Sequence, residues 1–137
     1  MGMMSTKTHG ILDFLSAGFL FMLPRAMRWR GRVGTLLTAM SFMTVAYSLL
    51  TRYEFGIVKV LPMKTHLIID TASGIMLMFA PKALRIRNPL VITALVGSGL
   101  FEVAAASMTE SEPDLPLPAP QDTEFQLPID VREYARN

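Results

Sequence analysis

The stretch KTHGILDFLSAGFLFMLPRAMRWR, residues 7–30, recurs as KTHLIIDTASGIMLMFAPKALRIR, residues 64–87, and the two copies align without a gap. Eleven of the 24 positions are identical, among them Lys7/Lys64, His9/His66, Asp13/Asp70, Ser16/Ser73, Leu20/Leu77, Pro24/Pro81, Arg28/Arg85 and Arg30/Arg87. The shared pattern is K-T-H-x3-D-x2-S-x7-P-[RK]-A-[ML]-R-x-R. Each copy reads as an apolar helix with a polar start and a basic end. Such a duplication predicts a pseudo-symmetric helical bundle, and it doubles the only cluster of ionisable side chains inside apolar sequence.

Around the two copies lie four apolar runs: Gly10–Leu23, Val33–Leu50, Leu67–Ala80 and Leu90–Met108. The second and fourth approach the roughly 20 residues needed to cross a bilayer core. The first and third reach that length only if their helices start near Ser5/Thr6 and Lys64/Thr65, where a hydroxyl can cap them. A soluble bundle would need a polar face every 3.6 residues, and Val33–Leu50 offers only Thr and Ser for one. A cleavable signal peptide is excluded for the first run. Pro24-Arg25 follows it where a small-x-small site belongs, and the same segment recurs internally. The expectation is an all-α, integral membrane four-helix bundle over residues 1–108, built from parallel-repeated hairpins at about 7–51 and 64–107. A disordered, acidic, Pro-rich tail is expected over 109–137.

Charge supports that division. Residues 1–107 carry eleven Lys/Arg against four acids, and residues 108–137 carry two Arg against seven acids. The basic residues sit in short loops, which argues for lipid and topology rather than nucleic acid. Arg25, Arg28 and Arg30 after the first run, with Lys82, Arg85 and Arg87 after the third, are the expected contacts with anionic lipid. By the positive-inside rule these loops are cytoplasmic and both termini lie outside, in a bacterial cytoplasmic membrane. Trp29 and Tyr53 fall at run ends, as interfacial aromatics do. Pro24 and Pro81 are expected to bend or stop their helices at the inner surface. The chain has no cysteine, so disulfides, thiolate metal sites and thiol catalysis are excluded.

The residues that can carry chemistry are His9, Asp13 and Ser16, repeated as His66, Asp70 and Ser73. Their spacing places them on one helical face. Intramembrane ionisable residues face the bundle interior, so the two stripes are expected to point at each other. Glu102 of the fourth run, Tyr47, and Arg52 at the mouth fall in the same outer half. The bland interpretation is that each Asp accepts a hydrogen bond from the His one turn earlier. The sharper one is a site for one divalent transition metal on His9, Asp13, His66, Asp70 and Glu102, since imidazole with carboxylate suits zinc, iron, manganese or nickel. A bis-His haem between the first and third helices, or a proton or ion path, completes the set of alternatives. Ser16 and Ser73 have no adjacent base and read as packing residues, as do Gly97-Ser98-Gly99. The eleven Met are read as core filling.

Each half resembles small bacterial membrane proteins of the SPW-repeat type, in which an apolar helix of a duplicated two-helix unit ends in Ser-Pro-Trp. The matching points here are Met22-Leu23-Pro24 and Phe79-Ala80-Pro81, with Trp29 displaced. The resemblance covers residues 7–107, implies a duplicated four-helix membrane protein, and transfers no catalytic residue. The leading functional expectation is non-catalytic: an accessory or structural subunit that packs on a larger membrane complex or on itself, with the tail as a docking element. The alternative is a metal- or haem-binding membrane protein, in redox or ion transport, that uses the His/Asp face.

Overall fold

A computed structural model of the chain describes residues 2–112. The acidic tail from residue 113 onward, and with it the expected docking element, lies outside the described residues. Four helices account for nearly all of the rest: α1 (Thr6–Ala26), α2 (Arg32–Leu50), α3 (Met63–Ala83) and α4 (Pro89–Met108). The 57 residues that separate His9 from His66 also separate the starts of α1 and α3, their ends, and the starts of α2 and α4. The hairpin is therefore the duplicated unit, even though α2 and α4 share little sequence.

Helix α1 packs along α2, and α3 along α4. Narrower α2–α3 and α1–α4 contacts close the ring, so α1 and α3 face each other across its diagonal. The α3–α4 pair is closest where backbones meet. A Cβ on Gly74 would lie 2.6 Å from the Gly99 carbonyl oxygen, so only glycine allows this approach. Gly99 is thus a packing residue as expected, whereas Gly97 faces open space. Leu20, Leu37, Met40, Leu77, Val91 and Leu95 fill the apolar core.

Helix ends follow from local chemistry. The Ser5 hydroxyl accepts from the Thr8 amide at 3.2 Å and caps α1. Asn88 caps α4, with Pro89 at the first helical position. Helix α3 starts at Met63 behind Pro62, without a side-chain cap. Pro24 and Pro81 do not stop their helices, contrary to expectation; both lie inside them. The stop comes two residues later, by the same device in each copy. The Trp29 amide donates to the Pro24 carbonyl at 2.8 Å and the Arg28 amide to that of Arg25 at 3.2 Å. Ile86→Pro81 at 2.8 Å and Arg85→Lys82 at 3.2 Å repeat the pair. These are the two bonds of a Schellman motif, with Arg28 (φ 55°) and Arg85 (φ 54°) in the left-handed position. The repeated P-[RK]-A-x-R-x-R is thus a helix stop. Its six basic residues, Arg25, Arg28, Arg30, Lys82, Arg85 and Arg87, are all exposed at one end of the bundle.

The opposite end is closed by the loop between α2 and α3. Tyr53 is fully buried there, a correction to its expected interfacial place. Its ring lies against His66 and Phe55. Gly10 makes room for it, since a Cβ at that position would run into the Tyr53 ring and meet the Phe55 ring at 2.7 Å. Glu54 ties the loop down by accepting from the Thr6 hydroxyl at 2.9 and 3.0 Å.

Around the outside, large apolar side chains are exposed on every helix: Ile11, Leu15 and Phe19 on α1, Phe42 on α2, Ile68 and Phe79 on α3, Leu90 and Leu100 on α4. Among the described residues two helices, α2 and α4, are long and apolar enough to cross a membrane, with mean hydropathy 1.6 and 1.8.

Candidate metal centre

His9 and His66 lie in the first turns of α1 and α3, and Asp13 and Asp70 one turn further on. All four are buried. Because the two helices run parallel across the diagonal, their stripes converge. One ligand atom from each residue can be chosen so that all four lie within 4.8 Å of one another. The pairs within a helix are close, at 3.2 Å for His9 Nε2 to Asp13 Oδ1 and 3.1 Å for His66 Nε2 to Asp70 Oδ2. The pairs across the bundle are slightly closer, at 2.9 Å for His9 Nε2 to Asp70 Oδ2 and 3.0 Å for His66 Nε2 to Asp13 Oδ2. Two separate His–Asp pairs are therefore not what the fold builds; it builds one four-residue cluster.

The tautomer of both histidines is fixed from behind. The Thr51 hydroxyl donates to the Tyr47 carbonyl at 2.7 Å, and the Thr109 hydroxyl to the Ala105 carbonyl at 2.6 Å. A hydroxyl has one proton to give. Each threonine oxygen must then accept from the imidazole it faces: His66 Nδ1 at 2.8 Å from Thr51 and His9 Nδ1 at 2.9 Å from Thr109. Both Nδ1 atoms are protonated, so in its neutral form each ring turns an Nε2 lone pair inward, the two Nε2 atoms 3.2 Å apart. The carboxylates are oriented in the same way. Tyr47 donates to Asp70 Oδ1, and Ser48 donates to Asp13 Oδ2 at 3.1 Å.

In that form two nitrogen lone pairs and two carboxylates converge on one small volume. With neutral imidazoles its formal charge is −2, and no Lys or Arg bonds to it among the described residues. Such a concentration of acceptors needs positive charge between its members. Octahedral bonds of about 2.1 Å set neighbouring ligands about 3.0 Å apart, and tetrahedral bonds of that length set them about 3.4 Å apart. The 2.9–3.2 Å His–Asp and His–His spacings lie in and just below that range, while the four ligand atoms as a set lie within 4.8 Å of one another and would draw together around an ion. A haem does not fit, because the 3.2 Å between the ring nitrogens leaves no width for a porphyrin and both carboxylates reach into the same gap.

Of the other residues singled out from sequence, Tyr47 joins the cluster, and Arg52 turns away to the Lys59 carbonyl at 2.8 Å. Ser73 is buried in packing. Glu102 lies beside the cluster rather than in it. It shares a small cavity with His9, Asp13, Ser16, Tyr47 and Asp70, while the convergent group comprises only the two His and two Asp. Burial pushes the Tyr53 hydroxyl above the cluster up to about 12, so it stays neutral there. Thr51, Thr109 and Ser48 were not legible as site residues. The one available signal was a Thr at the end of each even-numbered helix, set one residue out of the repeat register and, for Thr109, assigned to the tail.

No known protein family, curated protein or solved structure matches this chain.

Proposed function

We propose that this chain is a four-span membrane protein that holds one divalent transition-metal ion through His9, Asp13, His66 and Asp70. The observation that carries the reading is the pair of threonine-to-Nδ1 hydrogen bonds. A ligating histidine typically donates its other N–H to a fixed acceptor, which sets the tautomer and aims the ligating nitrogen. Two nitrogen and two carboxylate ligands suit zinc, iron or manganese. A doubly charged ion also balances the two carboxylates. Apolar side chains exposed on all four helices support four spans, with the polar centre shielded from lipid inside the ring.

The test is elemental analysis of the detergent-purified protein alongside its optical spectrum. The expected result is about one equivalent of a transition metal per chain and no haem band, with the metal absent from a His9→Asn/His66→Asn variant that stays folded. A protein that is metal-free as purified and takes up no added Zn2+, Fe2+ or Mn2+ would overturn the reading and return the cluster to a proton-bridged structural role. The accessory-subunit expectation would then be the one to pursue, through its tail.

A further inference from the structure

Glu102 is 7% exposed, and neither of its carboxylate oxygens has a hydrogen-bond partner among the described residues. A buried, unpartnered carboxylate is costly and calls for an explanation. Its surroundings supply one. The cavity that it lines is bounded on the other side by His9, Asp13 and Asp70, and has about 10 Å³ of space for the centre of a water-sized sphere. That is roughly one water molecule's worth of room, beside the four-residue cluster, with Ser16, Thr44 and Tyr47 as its other polar lining. The Tyr47 and Ser48 hydroxyls are already committed to the two aspartates.

We infer that the metal centre is open. Its free coordination position points into this cavity and carries a water molecule, and Glu102 accepts that water's hydrogen bond. This inference rests on the metal-binding reading above. Four protein ligands alone would make a closed structural site, whereas an open position with a carboxylate beside it is the arrangement of metal sites that do chemistry on a bound water or exchange it for a ligand. Glu102 here is a positioning residue, acting through the water and not bonded to the ion. The cavity shares Leu12, Ser16 and Phe101 with an apolar groove of about 470 Å³ between α1 and α4. Those three side chains form the wall between the cavity and the groove.

The experiment uses the full chain loaded with Mn2+, whose electron paramagnetic resonance lines broaden in water enriched in the magnetic oxygen isotope when a water is coordinated. Wild type is expected to bind one Mn2+ and to show the broadening. Glu102→Leu, which fills the cavity, is expected still to bind one Mn2+, about tenfold more weakly as for loss of an outer partner, and to lose the broadening. Glu102→Gln keeps an acceptor oxygen and is expected to retain it. Wild type that binds Mn2+ without broadening would overturn the open position while leaving the metal site standing. Loss of stoichiometric Mn2+ binding in folded Glu102→Gln would make Glu102 a direct ligand and overturn the water-bridged assignment. No Mn2+ in wild type would remove the reading on which the inference rests. The wild-type measurement alone can overturn the open position, so a variant that fails to fold does not shield it.

Discussion

Thr51 and Thr109 decide what the two histidines can do, although neither touches the centre of the cluster. Each sits at the C-terminal cap of an even-numbered helix, gives its proton to a carbonyl of the preceding turn, and so is left with only an acceptor to offer the imidazole. Thr51→Val and Thr109→Val keep the shape and remove that acceptor. Each is expected to lower metal affinity about 10- to 100-fold, measured by competition with a chelator of known affinity, while Thr→Ser at either position restores it. Unchanged affinity in both valine variants would show that ring orientation comes from packing alone. The His/Asp stripes could be read from sequence because a spacing of four residues is itself a geometric statement. The threonines could not, because their role depends on a side-chain proton already spent on a backbone carbonyl, which no spacing encodes.

The odd-numbered helices owe their ends to a motif whose residue types are unusual for it. A Schellman stop favours glycine at the left-handed position, and here the position is held by Arg28 and Arg85. Arg28→Gly and Arg85→Gly are each expected to stabilise the fold by about 0.5–1 kcal/mol, seen as a higher midpoint of thermal unfolding in detergent. The two gains should add, since the motifs are far apart. A lower midpoint in either variant would mean that the arginine side chain contributes more than its backbone costs, as an anchor to lipid phosphate would. The start of α1 and the bundle-facing stripes of α1 and α3 were legible because a cap and periodicity act locally; the hydroxyl cap expected near Lys64/Thr65 is not used, since α3 starts behind Pro62. The proline positions misled because a proline near a helix C-terminus forfeits only one amide bond, and the Schellman bonds use its carbonyl, not its missing N–H. The fate of Tyr53 was also beyond sequence reading. An aromatic at the end of an apolar run has the same pattern whether it faces lipid headgroups or folds inward over a polar cluster, and the space left by Gly10 decides for the second.

For the protein as a whole, duplication was the strongest sequence signal, and the ring of four helices follows from it together with a short connection within each hairpin and a longer one, residues 51–62, between them. What the repeat could not give was the order around the ring, which places α1 and α3 on a diagonal so that equivalent side chains meet. The four-span reading makes a direct topological prediction. The chain has no cysteine of its own, so single-cysteine labelling is clean. Val58→Cys, exposed in the loop at the His/Asp end, is expected to react with a membrane-impermeant maleimide in intact cells. Arg30→Cys, at the basic end, is expected to react only after permeabilisation. Reaction of both from the same side would rule out membrane-spanning hairpins, and the reverse pattern would invert the orientation.

Because each half contributes one histidine and one aspartate to a centre that lies between them, the site has an ancestry written into its symmetry. A half-length chain carrying a single H-x3-D stripe could assemble the same four side chains by pairing with an identical copy about a two-fold axis. Fusion of two such copies into one chain would have released the even-numbered helices from the requirement to be the same. Aligned on Thr51 and Thr109, Tyr47 and Ser48 of α2 correspond to Ala105 and Ala106 of α4, while Thr44 corresponds to Glu102. The odd-numbered helices have kept what a homodimer would need. The even-numbered ones differ, one a side that clasps the aspartates and the other a side that leaves a carboxylate uncommitted, an asymmetry closed to two identical chains.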